Sequence, residues 1–199
     1  MSRLKGFVEK ERRLGDKVAA FSTVITKVPY NDTRDPPGDL HGTGWFIEIE
    51  HQKFVLTCEH VARDQTRGML CASFHGSEVA FDLRNPVSAL TYPLDVAITA
   101  ITENTWRLVE HEAQCIPITL FTELSPASDE LMYVAGHPGE LGMYTTAAMV
   151  CRIQDEFDPV LEEEVPQPRE DIHFLLPYTP EYAEYMSNGQ RETLPRAPA

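Results

Sequence analysis

The chain is short of positive charge. Lys and Arg number 17 against 31 Asp and Glu, a formal net charge of −14 with histidine neutral. Such a surface repels phosphate backbones and anionic headgroups, so neither nucleic acid nor a membrane is expected as a partner. Long apolar runs are also missing, and nothing approaches the ~20 residues that span a bilayer. The opening Met1-Ser2-Arg3-Leu4-Lys5-Gly6 is too charged for a secretory leader, which makes a cytoplasmic location the expectation. The four cysteines, Cys58, Cys71, Cys115 and Cys151, form no Cys-x-x-Cys pair. Cys58, Cys71 and Cys151 stand in apolar runs and read as buried thiols. No ligand pair has the usual zinc spacing, so no metal is expected. Neither Gly-x-Gly-x-x-Gly nor a Gly-x-x-x-x-Gly-Lys loop occurs, and no phosphate-binding cofactor is expected either.

What is present is a series of short β-prone runs. Residues 1–17 are charged, with Leu4, Phe7, Val8 and Leu14 at roughly helical spacing, and predict a short N-terminal helix. From there on, stretches rich in Val, Ile, Thr and aromatics alternate with Gly, Pro, Asn and Asp. They run over 18–28, 43–49, 53–58, 69–74, 78–83, 95–101, 131–135, 143–153 and 172–176. This spacing predicts an all-β barrel or sandwich of antiparallel strands. Residues 44–50 and 53–58 read as a hairpin turning at His51-Gln52, 31–40 as a loop, and 104–111 as a helical connection. The proline-containing stretch 117–128 is the best joint between two halves, 18–115 and 116–199. Between Asp155 and Asp171 eight carboxylates face one Arg169, which reads as a solvated loop.

Chemistry concentrates at one histidine. Phe54-Val55-Leu56-Thr57-Cys58-Glu59-His60-Val61-Ala62 is a strand-forming run that ends on His60. Thirty-five residues later Pro93-Leu94-Asp95-Val96-Ala97-Ile98 places Asp95 at the mouth of another apolar run. A carboxylate wedged there loses hydration and needs a hydrogen-bond donor. An imidazole N–H is a fitting donor, and the pairing would orient the ring as a general base. Tyr133-Val134-Ala135-Gly136-His137-Pro138-Gly139 is a third signal, a strand ending in a Gly-x-Pro turn with His137 as a loop side chain. His41, His51, His75, His111 and His173 lack such a context and read as surface or packing residues.

The ordered set Gly42-Thr43-Gly44-Trp45-Phe46-Ile47, then Phe54 to Val61, then Leu94-Asp95-Val96-Ala97-Ile98, then Val134 to Pro138, resembles the trypsin-like (chymotrypsin-fold) serine peptidases, nearest their bacterial disulfide-free branch. The resemblance covers the chain from about Val18 onward and implies two antiparallel β-barrels with a cleft between them. It implies His60 as general base and Asp95 as the residue that orients it, with a protein or peptide as substrate or partner. That family places its nucleophile in Gly-x-Ser-Gly, and here neither this motif nor Gly-x-Cys-Gly occurs. Ser125 and Ser128 fall in the joint, while Ser73, Ser77 and Ser88 fall in the first barrel. Ser187 is late enough but lacks the preceding glycine. The last six residues, 194–199, resemble the approach to the serine loop, so the second barrel is expected to be incomplete. Three expectations stay open: a truncated peptidase, a pseudo-peptidase whose barrel a second chain completes, or a nucleophile supplied in trans. The chain alone is expected to be inactive, as a peptidase scaffold or a protein-binding module.

Overall fold

The computed structural model describes residues 13–15, 17–122, 131–136, 145–150, 184–187 and 190–193. The protein is mostly β, with an eight-stranded sheet, a four-stranded sheet and short helices. The larger sheet contains β1 (Ser22–Val28), β2 (Asp39–Ile49), β3 (Gln52–Thr57), β4 (Met69–Ser73), β5 (Ala80–Asp82), β6 (Ser88–Leu90), β7 (Val96–Ile101) and β8 (Ile116–Pro117). Its order is β5-β4-β1-β2-β3-β7-β6, antiparallel throughout, and β8 adds a short parallel pairing to β2. No closed barrel forms among the described residues: β5 and β6 stand at opposite ends of the strand order. The smaller sheet is an antiparallel meander of β9 (Leu131–Gly136), β10 (Thr145–Val150), β11 (Glu184–Ser187) and β12 (Gln190–Thr193), in the order β12-β11-β10-β9. No helix among the described residues is long and apolar enough to cross a membrane.

The core follows the two-residue alternation of strands. Ile25 of β1, Phe46 of β2, Val55 of β3, Leu70 and Ala72 of β4, Phe81 of β5 and Ile101 of β7 all point inward and are buried. Phe74 lies at the centre of an aromatic group: its ring stacks on Phe81 at 4.5 Å and on His111 at 4.2 Å, and meets the edge of Trp106 at 5.2 Å. Such contacts add about 0.5–1.5 kcal/mol each beyond area burial. His111 therefore belongs to the packing, and its Nε2 lies 2.8 Å from the Trp106 carbonyl.

Several element boundaries differ from the sequence expectation for physical reasons. Residues 17–19 are helical, and a turn closed by Phe21 N–H donating to the Val18 carbonyl delays β1 until Ser22. The β2–β3 hairpin turns at Glu50-His51, one residue early, with Ile49 opposite Gln52. Both turn residues have positive φ, 47° and 67°, the twist that a two-residue hairpin needs. The helical connection is only Glu103–Trp106, started by Thr102, whose hydroxyl accepts from the Thr105 N–H. β6, β8 and the β11–β12 hairpin are too short or too polar to register as apolar runs. Of the N-terminal helix, residues 13–15 and 17 are described and helical. The strand expected at 172–176, the acidic stretch 155–171, His137, Cys151, Ser125, Ser128, His173 and the last six residues lie outside the described residues.

Candidate active site

β3 and β7 run antiparallel with Thr57 opposite Ala97, so the end of one strand lies beside the start of the other. Residues that follow β3 therefore meet residues that precede β7, although 35 positions separate them. After Thr57 the chain turns through Cys58 into a one-turn helix, Glu59–Ala62, that carries His60 in its first turn. On the other side, Thr91–Leu94 form a turn closed by the N–H groups of Leu94 and Asp95 on the Thr91 carbonyl. Asp95 leaves that turn with φ of +48°, in the left-handed region. For a residue other than glycine this conformation costs roughly 1 kcal/mol, although aspartate tolerates it better than most.

The conformation aims the Asp95 carboxylate at His60. One oxygen, Oδ2, lies 2.6 Å from His60 Nδ1, and the other, Oδ1, accepts from the His60 peptide N–H at 2.9 Å. The helix start has no cap from its own N-cap side chain, and Asp95 takes that place from across the sheet. Desolvation raises the pKa of the Asp95 carboxyl. The bonds from the His60 peptide and ring, the His60 charge and the Glu59 N–H outweigh it, so the carboxyl sits below its ordinary value. With Nδ1 bound to the carboxylate, Nε2 is left to exchange protons, and the ring is 56% exposed to do so.

The wall behind His60 is stiff. Val61 and Ala62 are each 4% exposed. Gly42 of β2 packs on Val61 so closely that a Cβ there would stand 2.9 Å from Val61 Cγ2 and 3.1 Å from Cγ1. The following 3-10 turn, Arg63–Arg67, is tied to β1 by Lys27 Nζ on Asp64 Oδ2 at 2.6 Å, and His41 Nε2 lies 3.3 Å from the Val61 carbonyl. Thr57 donates its hydroxyl to the Thr43 carbonyl at 2.7 Å, tying the end of β3 to the middle of β2. The second sheet reaches the same place, since a Cβ on Gly136 would lie 2.9 Å from Thr43 Oγ1.

The structure thus brings together His60 and Asp95, with Gly42-Thr43-Gly44 and Gly136 alongside. Ser73 ends β4, Ser77 accepts from the Val79 N–H in the next turn, and Ser88 starts the edge strand β6. Ser187 closes the β11–β12 hairpin opposite Gln190. His51 is fully exposed in its turn. Two cysteines read as buried are not: Cys58 is exposed, because β3 ends a residue before it, and Cys71 of β4 is only half-buried. Burial on one side of Cys58, and then the negative charge of Asp95, push its thiol up. Cys58, His60 and Asp95 place one ligand-type atom each within 4.8 Å of one another. Comparison with models of known protein families and with curated proteins finds no match.

Proposed function

We propose that the chain is a trypsin-like serine peptidase scaffold, in which the eight-stranded sheet corresponds to the first of two chymotrypsin-type barrels and His60 and Asp95 are base and orienter. The observation that carries this reading is the two-point hold of Asp95 on His60, at ring and peptide. In such a site a hydroxyl at Nε2 gives its proton to the imidazole as it attacks a carbonyl. The Asp95 carboxylate stabilises the imidazolium and fixes the tautomer, and the proton then passes to the leaving amine. The 199 residues contain no Gly-x-Ser-Gly, so this polypeptide by itself is a base without its usual nucleophile. Incubation with p-nitrophenyl acetate, a casein substrate and a fluorophosphonate probe tests the assignment. Ester hydrolysis is expected to fall at least tenfold in His60→Ala, a modest value for loss of a general base. Casein cleavage and labelling are expected to be absent. Hydrolysis unchanged in His60→Ala would overturn the role of His60.

A second reading, a protein-binding module, is favoured by a separate observation. β6 is a sheet edge, and Val87 just before it, Leu90 on it, Tyr92 and Leu94 on the turn leading to Asp95, and Val96 at the start of β7 are exposed. An extended peptide could add to that edge by backbone pairing. Recovery of no stoichiometric partner from a native lysate, with the chain a folded monomer, counts against it.

A further inference from the structure

We infer that Cys58, His60 and Asp95 form a binding site for a soft divalent cation of the zinc class. The site rests on the placement of these three side chains and not on the peptidase reading. Their candidate ligand atoms lie within 4.8 Å of one another, and the group is open to solvent, with Cys58 and His60 exposed and Asp95 partly so. A thiolate, an imidazole and a carboxylate are the three ligand types that zinc accepts, and three protein ligands leave a fourth position for water. The thiolate selects zinc, cadmium or cobalt over magnesium and calcium, which prefer oxygen alone.

Bond lengths of about 2.0–2.3 Å place tetrahedral ligand atoms roughly 3.3–3.7 Å apart. A spread of up to 4.8 Å closes to that range by rotation of exposed side chains. The one contact that must open is His60 Nδ1 to Asp95 Oδ2, now 2.6 Å and bridged by a proton. The cation takes that proton's place. The Nδ1 proton moves through solvent to Nε2, and the Cys58 thiol proton leaves to solvent. Asp95 Oδ1 keeps its bond from the His60 peptide N–H, which holds the carboxylate in register as an outer-shell hydrogen bond does in built metal sites. The ligands also bracket one turn of chain: Cys58 precedes the helix, His60 lies in its first turn, and Asp95 stands immediately before β7. If His60 serves as the base of the proposed function, the bound cation switches that base off by occupying the two atoms that orient it.

Titration of the metal-free chain with Co²⁺ tests the site. Expected is a one-to-one complex with thiolate-to-cobalt charge transfer in the near ultraviolet, displaced by stoichiometric Zn²⁺. Cys58→Ser should abolish the band, Cys71→Ser should keep it, and Asp95→Asn should weaken Zn²⁺ at least tenfold. X-ray absorption on the Zn²⁺-loaded wild type needs no variant and should show one sulfur at about 2.3 Å with nitrogen and oxygen neighbours at about 2.0–2.1 Å. No band at stoichiometric Co²⁺, a band that survives in Cys58→Ser, or a shell without sulfur would overturn the site. A Cys58-dependent complex that leaves His60-dependent ester hydrolysis unchanged supports the site and counts against His60 as the base.

Discussion

Gly42→Ala should disturb the histidine without touching it. A Cβ at Gly42 would stand 2.9 Å from Val61 Cγ2, 3.1 Å from Cγ1 and 3.6 Å from Cβ. Ordinary carbon contacts begin near 3.5 Å, so both methyl groups are too close, the nearer by about 0.6 Å. Because both methyls clash, turning the Val61 side chain exchanges one overlap for the other. Val61 is 4% exposed and cannot retreat outward, so the one-turn helix has to move, and His60 is its second residue. Overpacking of this kind costs about 1–3 kcal/mol. The reduced freedom of alanine in the unfolded chain offsets about 0.4–1 kcal/mol, since Gly42 has no positive φ to forbid the change. The net cost is then about 0–2.6 kcal/mol, and at about 2–4 °C per kcal/mol for a chain of this size Tm should fall by up to roughly 10 °C. A shift of about 0.6 Å also stretches the 2.6 Å and 2.9 Å bonds to Asp95, and a downfield His60 Nδ1–H proton resonance in the wild type should move upfield or broaden. Calorimetry and proton NMR measure the two effects, and the double variant Gly42→Ala/Val61→Ala measures their source. The two substitutions should show favourable coupling of about 1 kcal/mol or more. An unchanged Tm and an unchanged His60 resonance together would refute the steric reasoning.

Other expectations concern charge, thiol and hydroxyl. The Asp32 side chain, 4% exposed, accepts from Arg34 and from the Gly38 N–H, and these bonds hold its carboxyl far below the ordinary value. A depressed folded pKa gives stability that is complete above the unfolded value of about 3.9 and lost as pH falls toward the folded one. Asp32→Asn should therefore lower Tm at pH 7, with the gap to wild type narrowing as pH falls below 4. Cys58 should alkylate slowly with iodoacetamide at pH 8 despite its exposure, and faster in Asp95→Asn, which removes the negative charge that helps push its thiol up. Thr57→Val removes the hydroxyl bond to the Thr43 carbonyl and should cost about 1 kcal/mol in urea unfolding.

The first sheet was legible where strands are half buried and alternate. Phe46, Val55 and Ile101 gave a periodic signal because each faces a packed neighbour. β6 gave none, because Ser88, Ala89 and Leu90 are all exposed and only backbone pairing to β7 defines the strand. The hairpin of β11 and β12 was within reach, since the sequence Ser187-Asn188-Gly189-Gln190 contains Asn-Gly, a strong signal for a two-residue turn. At the candidate site, the meeting of His60 with Asp95 followed from an apolar run interrupted by a carboxylate. The second bond, to the His60 peptide, did not, because it depends on a left-handed Asp95 that spacing does not encode. Nor did the position of Cys58, since a strand run and the first residue beyond it look alike in composition.

The double hold of Asp95 has an entropic consequence. A carboxylate that grips both the ring and the peptide of one residue leaves the histidine and aspartate side chains with a single mutual arrangement. Ordering two such side chains costs on the order of 1 kcal/mol each. That cost falls at folding, when the strand ends of β3 and β7 come together, and not at the moment a ligand arrives. Whatever binds beside Nε2 meets a ring whose orientation is already fixed, and its own binding energy is free for contacts elsewhere.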